Sequence, residues 1–177
     1  MDKVFSAEEQ NRRVWPRVVE AMNSTGAVWW LADGTALGAY RSGDFIRGDA
    51  DIDLGMWATD RRVAIRVFRR LGGFSMLNRC HIRAHIDGEV RVGLHLHEIH
   101  GSTVVYPLGR KAQIGYCFPM ELFQKLHPVE LCGRRVLMPS PPERYLELHY
   151  GPDWRVPNPG WRWKVDPPCL IRYSSRG

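Results

Sequence analysis

The longest uninterrupted apolar run in the chain covers residues 27–32, and Asn23-Ser24-Thr25-Gly26 borders it with breakers. A short apolar block bounded in this way predicts a buried strand. A different pattern follows at 49–55, where Ile52 and Leu54 alternate with Asp51 and Asp53. That period of two predicts a strand with one apolar and one acidic face. Helical signals flank both strands. Ser6 and Glu9 have the spacing of a capping box, which predicts a helix running to about Met22, with Pro16 expected to kink or break it. Residues 35–40 predict a short helical turn. Thr59 is placed to cap a helix that stops at Gly72-Gly73, with Val63, Val67 and Leu71 along one stripe. Arg61, Arg62, Arg66, Arg69 and Arg70 surround that stripe; such a run is ordinarily a solvated face, with polyanion or membrane binding as the minority reading.

Residues 74–106 predict a β-meander of strands at 74–77, 81–86, 90–99 and 103–106, turning at Asp87-Gly88. Beyond it come a short helix near Pro119 and a hairpin over 129–138 that turns at Gly133. A last helix is opened by Ser140-Pro141-Pro142-Glu143, with the Ser140 hydroxyl as its cap, and closed at Tyr150-Gly151. The remainder is rich in Pro and Trp and predicts a tail packed over the domain, with Trp154, Trp161 and Trp163 as candidate base- or sugar-stacking rings. The elements together predict an α+β fold: one domain, a mixed sheet and flanking helices.

Composition narrows the class. At 177 residues the chain is one domain long, and its 25% charged and 44% hydrophobic content is that of a globular protein. Disordered, collagen-like and coiled-coil chains are thereby excluded. No apolar run approaches the ~20 residues of a spanning helix, and residues 1–13 lack the apolar core of a signal peptide, so the expected location is cytoplasmic. Cys80, Cys117, Cys132 and Cys169 lie far apart with no CxxC pair and read as reduced thiols. A net charge of +6 favours anionic partners.

The chemistry concentrates in Asp33-Gly34-Thr35 and in Asp49-Ala50-Asp51-Ile52-Asp53. Three carboxylates on one strand face repel one another unless a cation sits between them. Hard oxygen ligands suit Mg²⁺ or Mn²⁺. Gly34 and Thr35, just after a buried strand, offer backbone amides and a hydroxyl to an anion. A glycine turn followed by a carboxylate strand is the layout that phosphoryl or nucleotidyl transfer needs. A lone DxD is common, so the upstream turn and strand carry much of this weight.

These residues resemble a known family. The stretch from Trp30 to Arg41, and that from Asp44 to Met56, are similar to the signature of the LicD family, which includes bacterial phosphocholine transferases and fukutin-type ribitol-phosphate transferases within the nucleotidyltransferase-fold superfamily. Tyr150-Gly151-Pro152-Asp153-Trp154 and Pro157 are similar to its C-terminal element. The resemblance implies a nucleotidyltransferase-like domain over 25–160, with an N-terminal helix (1–24) and a C-terminal tail (161–177). It implies metal-dependent transfer of a phospho-alcohol from a CDP-activated donor to a hydroxyl acceptor, such as a glycan or a small molecule. On that basis Asp51 and Asp53 hold Mg²⁺ or Mn²⁺ beside Asp49, Gly34 and Thr35 cradle donor phosphates, and Arg41 neutralises their charge. The superfamily's usual third acid is replaced here by Gly93 or by His95, depending on strand register. His95, and after it His97, is the expected metal ligand or general base, with Asp49 as another candidate base. The alternatives are transfer of NMP from an NTP, and a non-catalytic nucleotide- or RNA-binding module; nucleic acid is not the expected partner.

Overall fold

The structure, a computed structural model, describes residues 5–88, 90–108 and 114–172. It opens with α1 (Ala7–Asn23), whose capping box is formed: the Glu9 carboxylate accepts the Ser6 amide proton at 2.8 Å while the Ser6 hydroxyl accepts from Glu9. Helix α1 runs through Pro16 without a break. Pro16 and Arg12, whose carbonyl loses its usual donor, are both exposed to water, while buried Val14, Trp15, Val18 and Met22 hold the opposite face down. There follow β1 (Trp29–Leu31), α2 (Asp33–Ser42), β2 (Asp51–Trp57), a 3-10 turn (Ala58–Asp60) and α3 (Arg61–Leu71). The predicted meander forms as β3 (Gly73–Asn78), β4 (His81–Ile86), β5 (Val90–His100) and β6 (Thr103–Leu108). The chain finishes with β7 (Ile114–Pro119), α4 (Glu121–Gln124), the hairpin β8 (His127–Leu131) and β9 (Arg134–Met138), α5 (Pro142–Tyr150) and β10 (Leu170–Arg172).

Several boundaries differ from the sequence reading. The turn expected at 35–40 is the ten-residue helix α2, which starts at Asp33. The 3-10 turn takes up the N-terminus of α3 in place of a Thr59 cap, and α5 begins after Pro141 with no side-chain cap from Ser140. β7 and β10 carry no period-two signal strong enough to predict them. They pair with each other, Leu170 opposite Tyr116, so residues 170–172 extend the main sheet rather than lie over a finished domain.

The main sheet runs β1-β2-β5-β6-β7-β10, with β4 also paired to β5 and β3 outside β4. β2 and β5 are parallel, Asp53 opposite Gly93; β4 is antiparallel to β5, with His81 opposite His95 and Arg83 opposite Gly93. This register sorts the side chains of three strands by face. Ile52, Leu54, Met56, Ile82, Ala84, Ile86, Val92, Leu94 and Leu96 are all buried in the core, where α3 packs on β4 and α1 on α3 and β5. The alternate positions, including Asp51, Asp53, His81, Arg83, Arg91, Gly93 and His95, carry the polar chemistry. Gly55 shares that series and must be glycine, because the Trp30 indole occupies the space a Cβ would take. Among the described residues no helix is long and apolar enough to cross a membrane.

Candidate active site

The polar sheet face forms the floor of a cleft of about 1070 Å³, lined by residues from both ends of the chain, Asp33 and Trp163 among them. At its base the ligand atoms of Asp33, Asp53 and His95 lie within 4.8 Å of one another. Asp53 is presented by β2. Asp33 is delivered by the junction of β1 and α2, where it takes a left-handed φ of 44°, a conformation that Asp tolerates better than most residues. His95 comes from β5, and its Nε2 stands 3.3 Å from Asp33 Oδ2 and 3.5 Å from Asp53 Oδ1. The buried Tyr106 hydroxyl donates to Asp33 Oδ1, and His149 Nδ1 lies 3.6 Å from the same atom. The Asp53 amide donates to the Thr35 hydroxyl at 2.8 Å.

Burial sets the electrostatics. It raises the pKa of the Asp33 carboxyl, and the neighbouring His95 opposes that rise. Burial also disfavours charge on His95, but Asp33 and Asp53 outweigh it and leave the imidazole above its ordinary value. The two acids flanking His95 thus favour its protonated form. Burial and the Asp53 charge raise the Asp49 carboxyl to about 6. Two carboxylates and an imidazole so close together are a fitting donor set for a divalent ion, which would replace the imidazolium proton as the compensating charge.

The structure distributes the sequence-predicted residues unequally. Asp53, His95, Asp49, Gly34 and Arg41 all line the cleft. Asp49 Oδ2 lies 2.7 Å from the point where a Gly34 Cβ would stand, so that glycine admits the carboxylate. Asp51 is turned to the cross-strand Arg91, with Arg91 Nε 2.5 Å from Asp51 Oδ1. Asp51 also lines the cleft, but its carboxylate is paired with Arg91 and stands outside the Asp33–Asp53–His95 cluster. Thr35 is buried and its hydroxyl accepts from Asp53, so it positions the acid instead of opening onto a phosphate. His97 falls outside the cleft lining: it is buried among Trp30, Tyr106 and Phe123, with Nδ1 2.9 Å from the His95 carbonyl oxygen. Burial pushes its pKa down to about 3 and so favours the neutral imidazole. The register places Gly93 directly opposite Asp53 and His95 opposite Gly55.

Sequence reasoning missed Asp33 as a member of the site, along with His81, Tyr106 and His149. Asp33 had a signal, a carboxylate at the junction of a buried strand and a glycine turn. The others come from distant strands and a helix that periodicity cannot bring together. The C-terminal segment also belongs here: Trp161 and Trp163 line the cleft, Trp161 packs 5.1 Å from Tyr150, and the Tyr116 hydroxyl donates to the Trp163 carbonyl at 2.6 Å. Trp154 also lines the cleft, although most of its ring is buried against Tyr40.

Comparison with known proteins gives consistent results. Residues 26–141 match the family described as LicD/FKTN/FKRP, nucleotidyltransferase domain. The human ribitol-5-phosphate transferase FKTN is 28% identical over 157 residues, covering 84% of this chain and 34% of that protein. The human ribitol 5-phosphate transferase FKRP is 26% identical over 160 residues, covering 80% and 32%. The chain thus spans about a third of the length of these curated relatives. Among solved structures, the lincosamide antibiotic adenylyltransferase LnuA superposes with a TM-score of 0.56 at 14% identity, covering 78% of this chain and 85% of its own. The antibiotic-resistance factor ANT(2'')-Ia gives 0.59 at 18%, covering 88% and 78%. At such identities the likeness is one of fold, a mixed α+β nucleotidyltransferase-like domain.

Proposed function

This chain belongs to the LicD/FKTN/FKRP nucleotidyltransferase-domain family, and on that premise we propose that it is a metal-dependent transferase moving a phospho-alcohol group from a CDP-activated donor to a hydroxyl acceptor. The observation that carries the reading is the Asp33–Asp53–His95 cluster on the floor of the cleft. Asp33, Asp53 and His95 would hold the divalent ion, and the ion, when bound, supplies positive charge against the donor pyrophosphate. Arg41, Arg47 and Arg83 line the same cleft and add fixed positive charge for the phosphates. Thr35 and Tyr106 keep the two carboxylates aimed, through the Asp53 amide and the Asp33 side chain. Asp49 lines the floor with its carboxyl near 6 and is the group suited to take the acceptor hydroxyl proton as CMP departs. His95, held between two acids, is less suited to that role. Tyr150 and Trp161 offer the donor base an aromatic wall.

The test is to follow where each part of a labelled donor goes. The full chain is incubated with CDP-ribitol, CDP-choline, CTP or ATP and a panel of polyol and glycan acceptors, with Mn²⁺, with Mg²⁺ or with EDTA. The expected result is CMP release from a CDP-alcohol with the phospho-alcohol on the acceptor, abolished by EDTA. Pyrophosphate release from an NTP with NMP on the acceptor would replace this reading with nucleotidyl transfer. Nucleotide binding indifferent to EDTA, without turnover of any donor, would replace it with a binding module.

A further inference from the structure

His81 on β4 faces His95 on β5 directly across the antiparallel pair, and the two rings lie 4.4 Å apart. It lines the cleft but is only 8% exposed. Its Nε2 has no hydrogen-bond partner among the described residues. A buried polar atom left in that condition ordinarily has a ligand or a water that satisfies it. The space in front of it is defined by the absence of a side chain at Gly93. A Cβ there would stand 3.2 Å from His81 Nε2, 3.2 Å from Asp53 Oδ1 and 3.9 Å from His95 Nε2. Three donor atoms therefore border one gap, and the register that puts Gly93 opposite both Asp53 and Arg83 keeps that gap open on the cleft face.

We propose that His81, whose ring stands outside the group of ligand atoms lying within 4.8 Å of one another, moves across the gap at Gly93 to become a further ligand of the cation held by Asp33, Asp53 and His95, so that the site presents two carboxylates and two imidazoles and selects a first-row transition ion over Mg²⁺. Carboxylates alone suit Mg²⁺, Ca²⁺ or Mn²⁺, whereas each added imidazole shifts preference toward transition ions, because Mg²⁺ favours oxygen ligands and gives up its waters reluctantly. The inference rests on the metal reading above and goes beyond it in naming a ligand and the class of ion.

The experiment uses the full chain, stripped of metal and titrated separately with Mn²⁺ and with Mg²⁺. Pulsed EPR of the Mn²⁺-loaded wild type counts the imidazole nitrogens on the ion without requiring any variant. Two are expected; one nitrogen overturns the assignment of His81 while leaving the metal reading standing. Calorimetry is expected to give Mn²⁺ at least about tenfold tighter than Mg²⁺, and His81→Leu, checked by circular dichroism for an intact fold, is expected to lose about 10–100-fold in Mn²⁺ affinity with little change for Mg²⁺. Unchanged Mn²⁺ affinity in a folded His81→Leu overturns the proposal. No uptake of either ion by the wild type overturns it together with the metal reading.

Discussion

Asp33 illustrates how one residue gathers its role from three elements. It sits between a buried strand and a helix, its carboxylate receives the Tyr106 hydroxyl, and His95 faces it at 3.3 Å. Its burial raises its pKa, so the fold disfavours the ionised carboxyl, and the facing His95 offsets part of that cost. Asp33→Asn and Asp53→Asn are each expected to lower turnover by at least about 100-fold, in keeping with loss of a charge-stabilising group. The thermal midpoint of each is expected to hold or rise, since one of two crowded acids is neutralised; a steady-state assay beside a melting curve reads both. Thr35→Val tests positioning. The Asp53 amide would lose its acceptor, and the expected cost is about 1–2 kcal/mol of stability with a fall in kcat, measured by denaturant titration and kinetics. Thr35 was visible in the sequence as a hydroxyl beside a glycine, but the direction of that hydroxyl was not.

At the scale of elements, the strand alternation was legible and the cross-strand pairing was not. The period-two pattern of β2 predicted its acidic face correctly, yet Asp51 belongs to Arg91 because β2 and β5 pair in parallel with those two residues opposite. His97 lies in step with His95 on β5, but Trp30, Tyr106 and Phe123 enclose it, and none of those contacts is local in sequence. Helix α1 is tied to the segment between α2 and β2 by the Asn11 amide, 2.9 Å from the Asp49 carbonyl, and by Arg12, whose Nη2 is 2.6 Å from Asp44 Oδ2. The hydrogen bond from Arg12 holds the Asp44 carboxyl down at about 2, below its ordinary 3.8. A depressed folded-state pKa contributes stability above the unfolded value and loses it as pH falls through the folded one. Both side chains are more than a third exposed, so solvent screening limits the contribution to about 1 kcal/mol or less. Asp44→Asn is therefore expected to melt lower than wild type at pH 6, with the difference shrinking below about pH 4 and lost only below about pH 2. Parallel melting series would record this.

The whole molecule decides the cleft. Residues beyond Gly151 read in sequence as a Pro- and Trp-rich tail packed over the domain, but β10 joins β7, the Cys117 amide donates to the Cys169 carbonyl at 2.9 Å, and Trp161 closes one wall of the site. If that wall stacks the donor base, Trp161→Ala is expected to raise the donor KM by about 5–100-fold, as loss of a stacking ring does, and to leave kcat within about twofold. A collapse of kcat with unchanged KM would place the ring elsewhere in the reaction. The sequence by itself determined the α+β class, most elements and their faces, and the pairing of a glycine turn with an acidic strand. Those features follow from capping chemistry, turn residues and side-chain period, all of which act over a few residues. Only the tertiary structure decided that Asp33, Asp53 and His95 converge, that Asp51 and His97 are otherwise engaged, and that the C-terminal segment lines the cleft. Convergence depends on parallel register and on packing between segments distant in the chain, and no local pattern encodes which residue will face which.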